Sequence, residues 1–84
     1  MDKPKLLARI INNPRAVRFF ELVVIVETFG FRRRRVRASH HIFTHESVPE
    51  LVNLQEVHGQ AKPYQIGQFL KIVERYDLRL GGDE

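Results

Sequence analysis

The sequence predicts an α+β domain in which helices pack on one face of a three-stranded antiparallel sheet. Two observations support this prediction. Apolar residues recur with a helical period near both ends of the 84-residue chain. Between these segments, after Gly30, short runs of β-branched and aromatic residues are separated by turn residues, as is typical of neighbouring strands. The predicted order of elements is α-α-β-β-β-α, with a three-stranded meander packed on the helices.

The first predicted helix covers residues 5–12, where apolar side chains fall at positions 6, 7, 10 and 11. Asn13-Pro14 ends it, because a residue before proline is driven out of helical geometry. The second helix begins between residues 15 and 20 and ends at Phe29, before Gly30 as the C′ residue. Its core face is formed by Phe19, Leu22, Val23, Val26 and Phe29. Phe20 and Val24 form a second apolar face, which either the first helix or a partner covers.

Three strands are predicted at residues 31–37, 39–45 and 50–56, with a turn at residues 46–49 between the last two. Residues 58–61 form a loop. The last helix opens at Lys62-Pro63, since proline in a first turn sacrifices no helical hydrogen bond. Its core stripe consists of Ile66, Phe69, Leu70, Val73 and Tyr76. The α-β-β-β-α part has the order found in double-stranded-RNA-binding domains.

Length and composition predict a single domain over residues 1–84, with a short helical extension at residues 1–14 and a disordered tail at residues 81–84. The chain has no cysteine, which excludes disulfides and thiolate chemistry and fits a reducing compartment. No signal peptide is recognisable. The longest apolar run, residues 22–26, is far shorter than the roughly 20 residues of a membrane helix. We therefore expect a cytoplasmic protein with no membrane contact.

The net charge of +4 is concentrated in one segment. Without its five arginines the chain would carry 9 basic and 10 acidic residues. A short cationic segment on a nearly neutral body favours contact with a polyanion. The alternative is a solvated strand edge, since arginine also protects edges from pairing. The segment, called the arginine block below, consists of Arg32, Arg33, Arg34, Arg35 and Arg37.

Three of the four histidines follow the arginine block. Histidine can both accept and give a proton near neutral pH, and arginine holds phosphate well, so together they suit phosphodiester cleavage. Strand alternation places His40 on one face and His41 and His45 on the other. His41 and His45 would lie about 13 Å apart, too far for one metal ion, so no metal or other cofactor is expected. Taken singly, each histidine is more often a structural residue than a catalyst.

Lys62 is a second candidate phosphate ligand. It precedes the last predicted helix, whose N-terminus favours negatively charged groups. An exposed lysine with no ligand is the alternative interpretation.

The segment Ser39-His40-His41-Ile42-Phe43, with His45 and the later run Gly59-Gln60-Ala61-Lys62-Pro63, resembles the HicA (YcfA-like) toxins. The resemblance covers about residues 19–78. It implies a double-stranded-RNA-binding-like fold and a metal-independent endoribonuclease that cleaves mRNA, as the toxin of a type II toxin–antitoxin module. The family's catalytic histidine corresponds to His40. The implied RNA-binding residues are the arginine block, Ser39 and Lys62.

The mechanism that the resemblance implies uses His40 as a general base on a ribose 2′-OH, with Arg35, Arg37 and Lys62 at the phosphate. The general acid is left open between His41, His45 and water. A HicB-like antitoxin is the expected partner, and the oligomeric state is left open between a homodimer and a hetero-oligomer with the antitoxin. The family usually has glycine at the position of Ala38, so a positive φ there would strain alanine. Two alternatives are a non-catalytic RNA-binding module and an interaction subunit that uses the Phe20 and Val24 face.

Overall fold

A computed structural model describes residues 1–81. Within this range the chain forms three α-helices, one 3₁₀ turn and three strands, in an α+β arrangement with one open sheet. The predicted order of elements is confirmed. The elements are α1 (Lys3–Asn12), a 3₁₀ turn (Pro14–Ala16), α2 (Phe19–Thr28), β1 (Arg32–Arg37), β2 (His40–His45), β3 (Val48–Gln55) and α3 (Pro63–Arg75).

The strands form an antiparallel sheet in the order β1-β2-β3, so β1 and β3 are both edge strands. The predicted turn at residues 46–49 is too long, because β3 already begins at Val48. Pro49, which the sequence places in that turn, lies within β3. An edge strand tolerates proline, since the missing N–H would face no neighbouring strand.

The first two helices form one layer. Asp2 caps α1 by accepting a hydrogen bond from the Lys5 N–H at 3.0 Å, so the helix begins two residues earlier than predicted. Leu6 and Ile10 are buried, and Arg9 binds Glu21 of α2. The expectation that α1 covers Phe20 is wrong: this side chain is 55% exposed.

Helices α2 and α3 each end at a residue in the left-handed conformation. Gly30 has φ +99, and the N–H of Phe31 donates to the carbonyl of Val26, which ends α2 as predicted. A Cβ at Gly30 would lie 3.0 Å from Nε2 of His45, so a side chain there would also crowd β2. Asp77 has φ +51 and plays the same part after α3.

The core lies between the helices and one face of the sheet. It contains Phe43 of β2 and Phe69 of α3, together with Phe29 and Phe31 of the connection between α2 and β1, and all four rings are buried. The Phe69 ring packs edge-on against those of Phe29 and Phe31. The predicted stripe of α3 is confirmed, with Ile66 and Phe69 buried and its other members packed at the border of the core. No helix of residues 1–81 covers the opposite face of the sheet, which is called the open face below.

The chain returns to α2 after α3. Leu78 and Leu80 pack against the core, and the N–H of Gly81 donates to the carbonyl of Thr28 at 2.8 Å. Of the predicted tail at residues 81–84, residues 82–84 lie outside the described residues. In residues 1–81 no helix has both the length and the apolar character to cross a membrane.

Ala38 carries backbone strain in the two-residue connection between β1 and β2. Its φ is +53, a region in which the Cβ of an L-residue crowds the following carbonyl oxygen. A hairpin residue of this kind is usually glycine. The strain expected from the sequence at this position is therefore present.

We predict that Ala38→Gly stabilises the protein. Relief of the left-handed strain outweighs the extra entropy of glycine in the unfolded chain, for a net gain of about 0.5–1 kcal/mol. Urea unfolding followed by circular dichroism would measure it. Ala16→Gly is the matched control, because Ala16 is exposed and is not among the residues with positive φ. It should lower the unfolding free energy, and an equal effect of both substitutions would contradict the prediction.

Candidate functional site

Alternation along β2 decides which side chains reach the open face. Phe43 is 0% exposed and points into the core, so His41 and His45 point the same way. His40, Ile42 and Thr44 point outward. The sequence predicted this division of the three histidines. Among residues 40–45, therefore, His40 is the histidine on the open face.

A β-bulge in β1 sets the directions of the arginines. Arg33 lies opposite Phe43 and Arg35 lies opposite Ile42, which leaves Arg34 as the extra residue. The pairing Arg37↔His40 continues the strand beyond the bulge. Residues directly opposite each other in antiparallel strands share a face, so Arg35 and Arg37 lie on the open face with His40.

Two further arginines join them. Arg32 lies opposite Thr44, and Arg34 donates from Nε to Oγ1 of Thr44 at 3.0 Å. Arg33 differs, because it lies opposite buried Phe43 and its guanidinium carbon is 5.9 Å from the centre of that ring. The arginine block is thus divided, with four members on the open face and Arg33 on the helical side.

The open face contains a pocket of about 260 Å³ around His40. Its lining combines one histidine, two arginines, one amide and one apolar side chain, namely His40, Arg35, Arg37, Asn53 and Ile42. Asn53 lies opposite Ile42 in the neighbouring strand. A phosphate ester in this pocket would meet two guanidinium groups and an imidazole at once.

Asn53 fixes the tautomer of His40. Nδ1 of His40 lies 3.2 Å from Oδ1 of Asn53, and since that oxygen can only accept, Nδ1 carries the hydrogen and donates. The neutral ring then has its lone pair on Nε2. A histidine held in this form can take a proton through Nε2 while its other nitrogen stays anchored.

Asn53 did not emerge from the sequence. An uncharged amide in an edge strand gives no signal of composition or charge. The available signal was positional, since alternation along β3 places Asn53 on the face opposite to Val52 and Leu54, both buried. The register of β2 against β3, which sets Asn53 opposite Ile42 and so beside His40, cannot be read from this alternation.

Ser39 and Lys62, both predicted to bind RNA, do not line the pocket. Ser39 follows Ala38 in the hairpin connection, and its Oγ accepts from Nε2 of Gln55 at 3.2 Å. Lys62 precedes α3, with Nζ 5.8 Å from the centre of the Tyr64 ring. The N–H of Gln55, opposite His40, donates to Oε1 of buried Gln65 at 2.8 Å. This bond places the start of α3 at the same end of the sheet as His40.

His41 has a different environment on the helical side. Its ring lies 4.6 Å from that of Phe19, and Nδ1 accepts from Nη1 of Arg33 at 3.3 Å. Burial, and then the positive charge of Arg33, lower the pKa of His41 below its ordinary value of 6.5, although Glu56 opposes the shift. His41 is therefore neutral at pH 7.

His45 lies at the border of the core. Its Nδ1 accepts from the N–H of Ser47 at 3.0 Å, and its ring lies 5.0 Å from that of Phe31. Like His41 it points away from the open face. Neither ring can therefore give a proton to a group bound beside His40.

Comparison of the chain with protein-family models, with curated proteins and with solved structures finds no match in any of the three. Within residues 1–81 no group of three or more histidine, aspartate and glutamate side chains is arranged to hold a metal ion. The open face instead combines one acid–base side chain with several fixed positive charges.

We predict that His41 makes the unfolding free energy fall as the pH is lowered from 7 to 5. In the unfolded chain this histidine regains its ordinary pKa of 6.5, so protons bind the unfolded state more readily than the folded state, where the pKa is lower. His41→Phe keeps a ring against Phe19 and removes the titration. Denaturation at a series of pH values should therefore give a flatter profile for this variant.

The matched control for this experiment is His58→Asn. His58 is an exposed loop residue with φ +51, a backbone conformation that asparagine also adopts. Its profile should follow that of the wild type. A His41→Phe profile as steep as the wild-type profile would show that His41 does not cause the acid sensitivity.

Proposed function

We propose that this protein is an endoribonuclease toxin of the HicA type, which cleaves mRNA with His40 as the general base. One observation carries the proposal: His40 presents Nε2 in a pocket that also contains Arg35 and Arg37, while Asn53 holds its Nδ1–H. This set of groups fits a ribose hydroxyl and its neighbouring phosphate. DNA has no such hydroxyl and would be spared.

In the proposed reaction Nε2 of His40 takes the proton of the 2′-OH. The oxygen then attacks the adjacent phosphorus, and the bond from phosphorus to the 5′-oxygen of the next nucleotide breaks. The products are a 2′,3′-cyclic phosphate and a 5′-hydroxyl, the latter protonated by water, since His41 and His45 point away from the open face. Arg35 and Arg37 offset the negative charge that develops on the phosphate oxygens.

Two further features support the proposal. The α-β-β-β-α order is that of double-stranded-RNA-binding domains, which is the fold that HicA toxins have and the fold that we propose here. Ala38 stands where that family usually has glycine, and its φ of +53 is a conformation that glycine adopts freely. The family resemblance also implies a cytoplasmic location, which is part of the proposal.

Mutation of His40 tests the reaction. His40→Ala is expected to lower the rate of RNA cleavage by about 10²–10⁴, the usual contribution of a general base, and to abolish growth inhibition. Cleavage of a labelled unstructured RNA measures the rate. His41→Ala should cost much less, because its ring points to the helical side. A His40→Ala protein that cleaves at the wild-type rate would refute the assignment.

The same measurements separate an endoribonuclease from a protein that only binds RNA. A wild-type protein that binds RNA and never cleaves it would be a non-catalytic RNA-binding module.

The arginines of the open face should dominate the salt dependence of RNA binding. Removing one phosphate-binding side chain lowers the slope of log affinity against log salt by about 0.7–0.9. Replacing Arg35 and Arg37 with glutamine should therefore flatten the slope by one to two units, measured by fluorescence anisotropy. Arg15→Gln with Lys71→Gln, both exposed on the helical layer, is the control and should leave the slope unchanged. Equal slopes for both double variants would mean that the open face binds no phosphate.

We also propose a HicB-like antitoxin as partner, with an acidic surface that covers the open face. An acidic surface complements four arginines and blocks His40 at once. Hydrogen exchange of the free toxin and of the pair tests this, and β1 is informative because an edge strand leaves part of its amides unpaired. Residues 32–45 should gain protection. Protection confined to residues 19–29 would place the partner on the Phe20 and Val24 face instead.

A further inference from the structure

A second concave site lies on the helical side of β1 and β2. It has a volume of about 480 Å³, within the range of roughly 300–1,000 Å³ that ligand pockets occupy. We call it the inner groove and define it by Phe20, Val24, Arg33, His41, Glu56 and Gly59. The mechanism proposed for His40 uses none of these residues.

The polar end of the inner groove has a hydrogen-bond donor and a hydrogen-bond acceptor at opposite edges of the His41 ring. Arg33 contacts Nδ1 of His41 at 3.3 Å, and Oε1 of Glu56 lies 3.9 Å from Nε2 on the other edge of the same ring. Arginine only donates hydrogen bonds, and a carboxylate only accepts them. A ligand that satisfies both needs an acceptor on one edge and an N–H group on another.

The apolar end carries an exposed aromatic ring. Phe20 is 55% exposed although it lies beside Val24 at the edge of a core that buries Phe19. The loop at Gly59 holds this end in place, because the carbonyl of Gly59 accepts from the N–H of Phe19 at 2.8 Å. A flat apolar ligand could stack on Phe20 and reach Arg33 and Glu56 with its edges.

We propose that the inner groove binds an unpaired purine base of the RNA strand whose phosphate lies at His40, an inference that rests on the proposed ribonuclease function. A purine offers N7 to Arg33. It also offers amino or imino hydrogens to Glu56, and a large face to Phe20. Uracil and cytosine have no N7 and a smaller face. The base must be unpaired, because a base in a duplex has its Watson–Crick edge occupied and both faces stacked.

Continuity with the open face favours RNA over a protein segment as the occupant. His40 and His41 are adjacent in β2 and point to opposite sides of the sheet, and β1 beside them is an edge strand. An RNA strand can therefore pass around β1, with a phosphate on the open face and another of its bases in the inner groove. The lining of the inner groove also includes Arg18, so its two arginines outnumber Glu56, and the net positive charge suits a polyanion.

Binding of short RNA to the His40→Ala protein tests the inference without cleavage. The probes are ten-nucleotide uridine strands with A, G, C or U at one central position. Strands with A or G should bind more tightly than strands with C or U. Phe20→Ala should weaken the A and G strands by about 5- to 100-fold, as removal of a base-stacking ring does, and should abolish the preference.

Two further variants complete the experiment. Ile11→Ala is the matched control, because Ile11 is also 55% exposed but lies on α1, and it should bind like the parent protein. Phe20→Trp should retain the preference, and since the chain has no tryptophan its fluorescence should be quenched by the bound purine strand.

The outcomes separate this inference from the proposed function. Suppose that the wild type cleaves RNA but that all four strands bind with equal affinity, or that the Phe20→Ala and Ile11→Ala proteins bind RNA equally well. Either result would overturn the proposed purine site in the inner groove and leave the proposed ribonuclease function standing. Absence of both cleavage and RNA binding would overturn the proposed function. If Phe20→Ala leaves RNA affinity unchanged and instead abolishes binding of a protein partner, the groove is a protein-docking surface.

Discussion

The burial of Phe43 is the constraint on which the two faces of the sheet depend. Side chains alternate along a strand, so the ring that enters the core also determines that His40 leaves it and that His41 does not. A slip of one residue in β2 would exchange the two histidines and bring Phe43 into water. Exposing one such ring costs about 1.5–3 kcal/mol, which is a large fraction of the stability of a small domain. The direction of the proposed general base is thus a consequence of core packing.

The bulge at Arg34 adds a second constraint, which acts on charge. Strict alternation back from Arg37 would turn Arg35 and Arg33 to the open face and Arg34 and Arg32 toward the helices. The extra residue reverses this phase at the start of β1, so that Arg32 and Arg34 also reach the open face. Arg33 alone among the arginine block turns toward His41. One inserted residue therefore gives the two sides of the same strands different chemistry.

The helices and the division of the histidines could be predicted because each follows from a period in the sequence. The turn before β3 could not, since Ser47 and Pro49 are typical turn residues and only the exposed edge of the sheet lets proline remain in a strand. The single block of five arginines was likewise too simple an interpretation, because a bulge leaves no mark in a run of identical residues. Asn53 was missed for a third reason: its importance depends on which residue lies across from it, and strand register is a property of the tertiary structure.

The two edges of the sheet differ in the feature that opposes pairing with a second copy. On β3 the protection includes Pro49, whose backbone nitrogen has no hydrogen to offer a second strand. On β1 it is the repulsion between arginine side chains, which would lie against one another if two copies paired along this edge. Repulsion of this kind acts over about 10 Å at 0.1 M salt and about 3 Å at 1 M, whereas the effect of proline is independent of salt. A long polyanion would neutralise the same arginines, so this repulsion would be weaker between the β1 edges of copies bound side by side on it.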